Sequence, residues 1–168
     1  MFGRGLLAVG VAVACVASNP LPAVAAPELV EFSAGHPSGT IVVKTGERRL
    51  YLVLGNGAAM RYKVGVGKAG MQWAGVSRID GKYTNPAWAP PPDMLRGKPA
   101  VVIPGGSPRN PMGVAALTLA GGEYAIHGTN APGSIGGFVS HGCIRMYNHD
   151  IVDLFERVQV GTPVVVAR

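Results

Sequence analysis

A chain of 168 residues has room for one domain with a real hydrophobic core and too little for two ordinary ones. Its formal charge of +6 favours an anionic partner, but no basic run with interleaved aromatics is present, which argues against nucleic acid and for an acidic polymer. The 25 Gly and 14 Pro residues are dispersed among apolar runs, which excludes a low-complexity chain and points to a turn-rich one.

Residues 1–25 read as a secretory signal peptide. Arg4 is their only charge, the apolar run GLLAVGVAVACVA follows, and the small residues Ala23 and Ala25 stand where a signal peptidase reads. The run is too short to span a bilayer comfortably, and no second run long enough to cross one follows. Cleavage after Ala25 removes Arg4 and leaves residues 26–168 with a charge of +5. The segment AVA before Cys15 lacks the leucine usual at a lipid-attachment site, so Cys15 reads as a small hydrophobe in a discarded peptide. The expected location is outside the inner membrane, in the periplasm or the cell wall. Exported proteins tend to pair their cysteines, yet Cys143 would then stand alone, which suggests reactivity or an intermolecular bond.

Residues 26–38 read as a loose N-terminal segment. TIVVKT reads as a strand by its β-branched content; RLYLVL and MRYKVGV follow, and the Asn56-Gly57 pair between them signals a hairpin. From Gly67 to Pro111 the pattern breaks into Trp, Pro and Gly, which reads as one long functional or mobile loop. Trp73 and Trp88 within it are expected to anchor the loop or the core, with their Pro-rich surroundings as a candidate wall of a substrate cleft. AALTLAG and EYAIH read as two more strands, the second delivering His127 at its end. The Gly-rich stretch GTNAPGSIGGFVS then leads to His141. In YNHDIVDLFERVQVG, Ile151, Leu154, Phe155 and Val158 share a helical stripe, with Asn148 as the expected N-cap and Asp150 and Arg157 suiting the helix dipole. GTPVVVA closes as a strand. The expected architecture is mainly β, a sandwich of mixed sheets with one helix after the Cys loop.

The chemistry centres on SHGCIRM, residues 140–146. A thiol needs a base to become a good nucleophile near neutral pH, and imidazole suits that role. Two histidines are candidates. His141 lies two residues before Cys143, while His127 ends a predicted strand and would meet the thiol through a hairpin-like return. Acyl transfer places negative charge on a carbonyl oxygen, for which the amides of Gly142 and Cys143 are candidate donors. Arg145 offers a planar fork that matches a carboxylate. A zinc site of His127, His141 and Cys143 lacks a fourth ligand, and simple packing of Cys143 does not account for the neighbouring residue types.

The stretch IHGTNAPGSIGGFVSHGCIRM resembles the signature of the L,D-transpeptidase family with the YkuD-type catalytic domain, and GTIVVKT, NPMG and VGTPVVV extend the resemblance over roughly residues 40–166. The domain is expected over residues 39–168. The resemblance implies that Cys143 is the acyl-accepting nucleophile and His127 its base, oriented by the backbone carbonyl of Gly128. It makes His141 a shaping residue, Arg145 the holder of a substrate carboxylate and Ser140 a support of the loop. The implied substrates are peptidoglycan stem peptides. Cys143 would attack the L-to-D bond of a tetrapeptide and release D-Ala, and an amine would resolve the thioester into a 3-3 cross-link. Water as acceptor would give an L,D-carboxypeptidase, and an outer-membrane lipoprotein lysine would give a wall anchor. Carbapenem-type compounds are the expected inhibitors, and no cofactor or metal is expected.

Overall fold

The computed structural model describes residues 26–95, 97–122 and 124–168, so the expected signal peptide and Cys15 lie outside the described residues. Eleven strands, two short helical turns (Pro92–Leu95 and the 3-10 turn Pro132–Ser134) and one longer helix make up the described fold. The first four strands are β1 (Glu28–Glu31), β2 (Ile41–Lys44), β3 (Arg49–Gly55) and β4 (Ala58–Lys63), with β1, β3 and β2 each antiparallel to a neighbour. The expected hairpin forms between β3 and β4. Asn56 and Gly57 take φ of 51° and 73°, the left-handed conformation that a two-residue hairpin turn demands. Residues 28–31, expected to be loose, instead add an edge strand to β4.

The predicted long loop contains a strand that the sequence reading missed. After β5 (Val66–Gly67), β6 (Gly75–Thr84) pairs antiparallel with β7 (Ala115–Leu119) and with β11 (Pro163–Ala167). Only Ile79 and Gly81 of β6 are buried, so it lacks the apolar alternation that announces a strand and is held by its two ladders. The register shift between Ile79 and Gly81 is a bulge, and a Cβ on Gly81 would lie 2.6 Å from the Tyr83 ring. β6 pairs with β11 over residues 75–78 and with β7 over residues 79–84, so the strand carries the sheet from one half into the other.

The order is β1-β4-β3-β2-β11-β6-β7-β8-β10, with β8 (Ala125–His127) and β10 (Ile144–Arg145) at the far end, while β5 and β9 (Phe138–Ser140) form a separate parallel pair. The two halves enclose one core. Ile41, Leu50, Leu52 and Tyr62 from one half meet Leu117, Ile126 and Ile144 from the other. β2 and β3 bury both faces, because Val42, Tyr51 and Val53 pack with Phe32 in a smaller cluster on the outer side.

The α1 turn spans Pro92–Leu95 and α2 spans Asn148–Arg157. The predicted stripe of α2 faces the core through Ile151 and Leu154, with Val158 buried just beyond and Phe155 against its edge. Lys82 Nζ, from β6, donates to the carbonyls of Phe155 and Val158, both at 2.6 Å, and so caps the helix C-terminus. Asn148 is not the N-cap; Tyr147 holds that position without a side-chain cap. The Asn148 carboxamide oxygen accepts instead from Thr129 N (2.9 Å), tying the start of α2 to the loop after His127. No helix among the described residues is long and apolar enough to cross a membrane.

Candidate active site

β8 and β10 run parallel, not in the expected hairpin-like return, with Ile144 opposite Ile126 and Arg145 opposite His127. The 16 residues between them, 128–143, give the chain room for the crossover that parallel pairing needs. Side chains alternate along a strand, so the two isoleucines enter the core while His127, Arg145 and Cys143 share the other face. All three line a cavity of about 440 Å³. Trp88, Pro91 and Met94 also line it, so the Pro-rich surroundings of Trp88 supply part of its wall, as the sequence suggested.

His127 is buried, and its Nδ1 lies 2.7 Å from the Gly128 carbonyl oxygen. A carbonyl only accepts, so Nδ1 carries the proton and the neutral ring turns an unprotonated Nε2 away from it. Burial lowers the His127 pKa to about 4, opposed by the carbonyl of Gly128, reinforced by the Arg145 charge and opposed by the carbonyl of Pro111. The imidazole therefore stands neutral at neutral pH, ready to accept a proton. Burial raises the Cys143 thiol above its usual range, against the Ala125 amide and Arg145, which both favour thiolate. The resting pair is therefore thiol and neutral imidazole.

The loop before Cys143 is held by a short relay. The Gly142 amide donates to Ser140 Oγ (3.1 Å), whose hydroxyl donates to the Cys143 carbonyl (2.6 Å). Gly142 was expected to offer its amide to an oxyanion; that amide is engaged at Ser140, and the Cys143 amide remains the candidate donor. Gly142 takes φ of 122°, and a Cβ there would fall 2.2 Å from the Tyr124 ring. Tyr124 stacks on Trp73 with centroids 5.0 Å apart and planes 7° apart, and Trp73 Nε1 donates to the Gly142 carbonyl (3.0 Å). The two aromatics thus clamp the residue before the thiol. Tyr124 had no assigned role, and no local spacing announces the clamp, because Trp73 lies 69 positions from Gly142.

His141 borders the same cavity, but its Nε2 sits 3.2 Å from Lys68 Nζ, an ammonium that only donates. That nitrogen is committed to Lys68, and among the described residues no group of three or more His, Cys, Asp or Glu side chains is placed to hold a metal ion. Arg145 Nε is buried without a hydrogen-bond partner among the described residues. An unpaired guanidinium N–H beside the thiol suits an anionic group of a ligand.

The glycines around His127 serve close approach. A Cβ on Gly113 or on Gly128 would come 2.3 Å from Asn148 Oδ1, so both must be bare for that side chain to reach Thr129.

Residues 38–166 match the YkuD family, the L,D-transpeptidase catalytic domain. The probable L,D-transpeptidase YbiS of Escherichia coli K12 is 40% identical over 134 residues, 74% of this chain and 43% of that protein. The chain thus spans less than half the length of that relative. The catalytic domain of the Enterococcus faecium L,D-transpeptidase superposes with a TM-score of 0.60 at 21% identity, covering 79% of this chain and 99% of that one. LD transpeptidase LdtMt1, solved in complex with imipenem, gives 0.59 at 16% identity, covering 76% of this chain and 58% of that one. At these identities the two structures establish a shared fold. By the extent of the domain match and the identity to its relatives, the chain belongs to the L,D-transpeptidase family.

Proposed function

We propose that this chain forms 3-3 cross-links in peptidoglycan, outside the inner membrane, with Cys143 as nucleophile and His127 as base. The observation that carries the reading is the parallel register of β8 and β10, which turns His127, Cys143 and Arg145 into one cavity. The Cys143 sulfur attacks the carbonyl carbon of the L-residue preceding the terminal D-Ala of a tetrapeptide stem. Its proton passes to Nε2 of His127, and the Cys143 amide holds the developing oxyanion. As the tetrahedral intermediate collapses, the carbon–nitrogen bond breaks, D-Ala leaves with the proton from His127, and a thioester remains. The amine of a neighbouring stem's diaminopimelate then attacks, His127 takes its proton, and the thiol is restored with a new amide formed. Arg145 holds the stem's free carboxylate. The sulfur would open the β-lactam of a carbapenem by the same addition; the imipenem complex of the related LdtMt1 fold supports that expectation.

The test is intact-protein mass spectrometry of the chain with a carbapenem and then with a muropeptide tetrapeptide, with Cys143→Ala and Cys143→Ser as controls. One covalent adduct absent from both variants, with D-Ala release and a cross-linked dimer, is the expected result. Tripeptide alone would make water the acceptor and the enzyme a carboxypeptidase; transfer to a lipoprotein lysine would make it a wall-anchoring enzyme. Adducts or turnover surviving in Cys143→Ala would overturn the mechanism.

A further inference from the structure

The catalytic cavity has a larger neighbour. A second cavity of about 780 Å³ lies across a thin wall of chain. Pro111, Met112 and His127 face the catalytic side, whereas Asn110, Gly113 and Thr129 face the second. The short segments 110–113 and 127–129 thus contribute residues to both cavities.

The second cavity is rich in neutral hydrogen-bonding groups. Asn148 spends its carboxamide oxygen on Thr129 N, which leaves its amide hydrogens to donate. Asn130 spends its amide on the Pro108 carbonyl (3.1 Å), which leaves its oxygen to accept. Tyr147 stacks on His149 at 5.4 Å and 12°, giving one wall an aromatic face, and Val114 adds an exposed apolar patch. Among the described residues no Asp or Glu lines the cavity and Lys63 is its one exposed amine, while His149 sits 3.2 Å from the Asp150 carboxylate. One free amine is thin provision for a polyanion. Paired donors and acceptors, an aromatic face and a small apolar patch suit a neutral ring that carries hydroxyls and an acetamido methyl.

Resting on the function proposed above, the connectivity of the substrate also suits. The stem's third residue reacts at Cys143, and its first residue hangs from a sugar; three extended residues reach at most about 11 Å. Adjacent cavities that draw residues from the same two segments suit a stem held in one and its sugar in the other. We propose that the cavity bounded by Val114, Asn130 and Tyr147 binds an N-acetylhexosamine of the glycan strand that bears the reacting stem.

The experiment compares kcat/KM for D-Ala release from a disaccharide-tetrapeptide with that from the sugar-free tetrapeptide, in the unaltered chain and in Asn130→Ala and Val114→Arg. The unaltered chain should prefer the disaccharide-bearing substrate by about tenfold, mainly in KM, the scale of one or two hydrogen bonds with some apolar burial. In both variants the ratio should fall towards one; Asn130→Ala alone decides if Val114→Arg does not fold. Equal use of both substrates by the unaltered chain, or an unchanged ratio in Asn130→Ala, overturns the sugar site. If neither substrate is turned over, the catalytic reading fails, and the site is judged by NMR titration of isotope-labelled Cys143→Ala with N-acetylglucosaminyl-N-acetylmuramic acid. Shifts at Val114, Thr129 and Asn130 then support the site, and their absence overturns it.

Discussion

His127 and Arg145 stand opposite each other in the parallel β8–β10 ladder, so a buried imidazole and a guanidinium share one face beside the thiol. After burial, the charge of Arg145 is one cause of the depressed His127 pKa of about 4. Removing that charge makes the imidazole easier to protonate. In Arg145→Ala the acid limb of kcat/KM should therefore move up from about pH 4 towards neutrality. The same variant should lose most of any preference for stems with a free carboxylate over their amides. A pH profile measured on both substrates checks the two effects together, and an unmoved acid limb would separate Arg145 from His127.

The two histidines differ in what fixes them. His127 is buried on a backbone carbonyl, while His141 is half-exposed and shares Nε2 with Lys68. His127→Ala should lower kcat by at least about a hundredfold, the scale of general-base catalysis. His141→Ala should cost much less. Single-turnover acylation by a carbapenem, followed by mass, distinguishes them; a larger loss in His141→Ala would exchange the two roles.

The candidate site was legible in the sequence because its members are close along the chain: His127, Ser140, Gly142, Cys143 and Arg145 fall within 19 residues. The Asn56-Gly57 hairpin and the α2 stripe were legible for the same reason, since turn chemistry and helical period act locally. β6 was hidden, because GVSRIDGKYT offers only Ile79 and Gly81 to the interior and owes its form to partners far away. The parallel sense of β8 and β10 was equally hidden, as sequence marks a strand's ends but not the direction of its neighbour. Asn148 looked like a cap by residue type, yet the tertiary claim of the Thr129 amide prevailed over the local one.

Trp73 touches the site through one hydrogen bond to the Gly142 carbonyl and through its stack with Tyr124. Trp73→Phe keeps a ring to stack and removes the N–H, so it isolates the bond. The expected cost is about three- to tenfold in kcat with little change in KM, on the scale of one hydrogen bond. Alkylation of Cys143 by iodoacetamide should change as well, while the melting temperature stays close to that of the unaltered chain. A loss confined to melting temperature would make Trp73 a packing residue only.

Asp150 and His127 oppose each other in the pH dependence of stability. Burial raises Asp150 from 3.8 to about 6, with His149 pulling the other way and Asp153 adding to the rise. The folded state thus holds a proton on Asp150 that the unfolded state releases, and stability falls as pH rises from about 4 through 6. His127, lowered from 6.5 to about 4, does the reverse: the unfolded state binds the proton first, so stability falls as pH drops through the same interval. Between pH 4 and 6 the two slopes offset. Asp150→Asn removes one of them. Its stability should match that of the unaltered chain near pH 4 and exceed it by on the order of 1 kcal/mol at pH 8. It should also show a stability that climbs with pH where the unaltered chain is nearly flat. Urea unfolding across pH 4 to 8 measures both; a variant destabilised at pH 8 would mean that the Asp150 carboxylate is held by a favourable partner, His149, more strongly than burial opposes it.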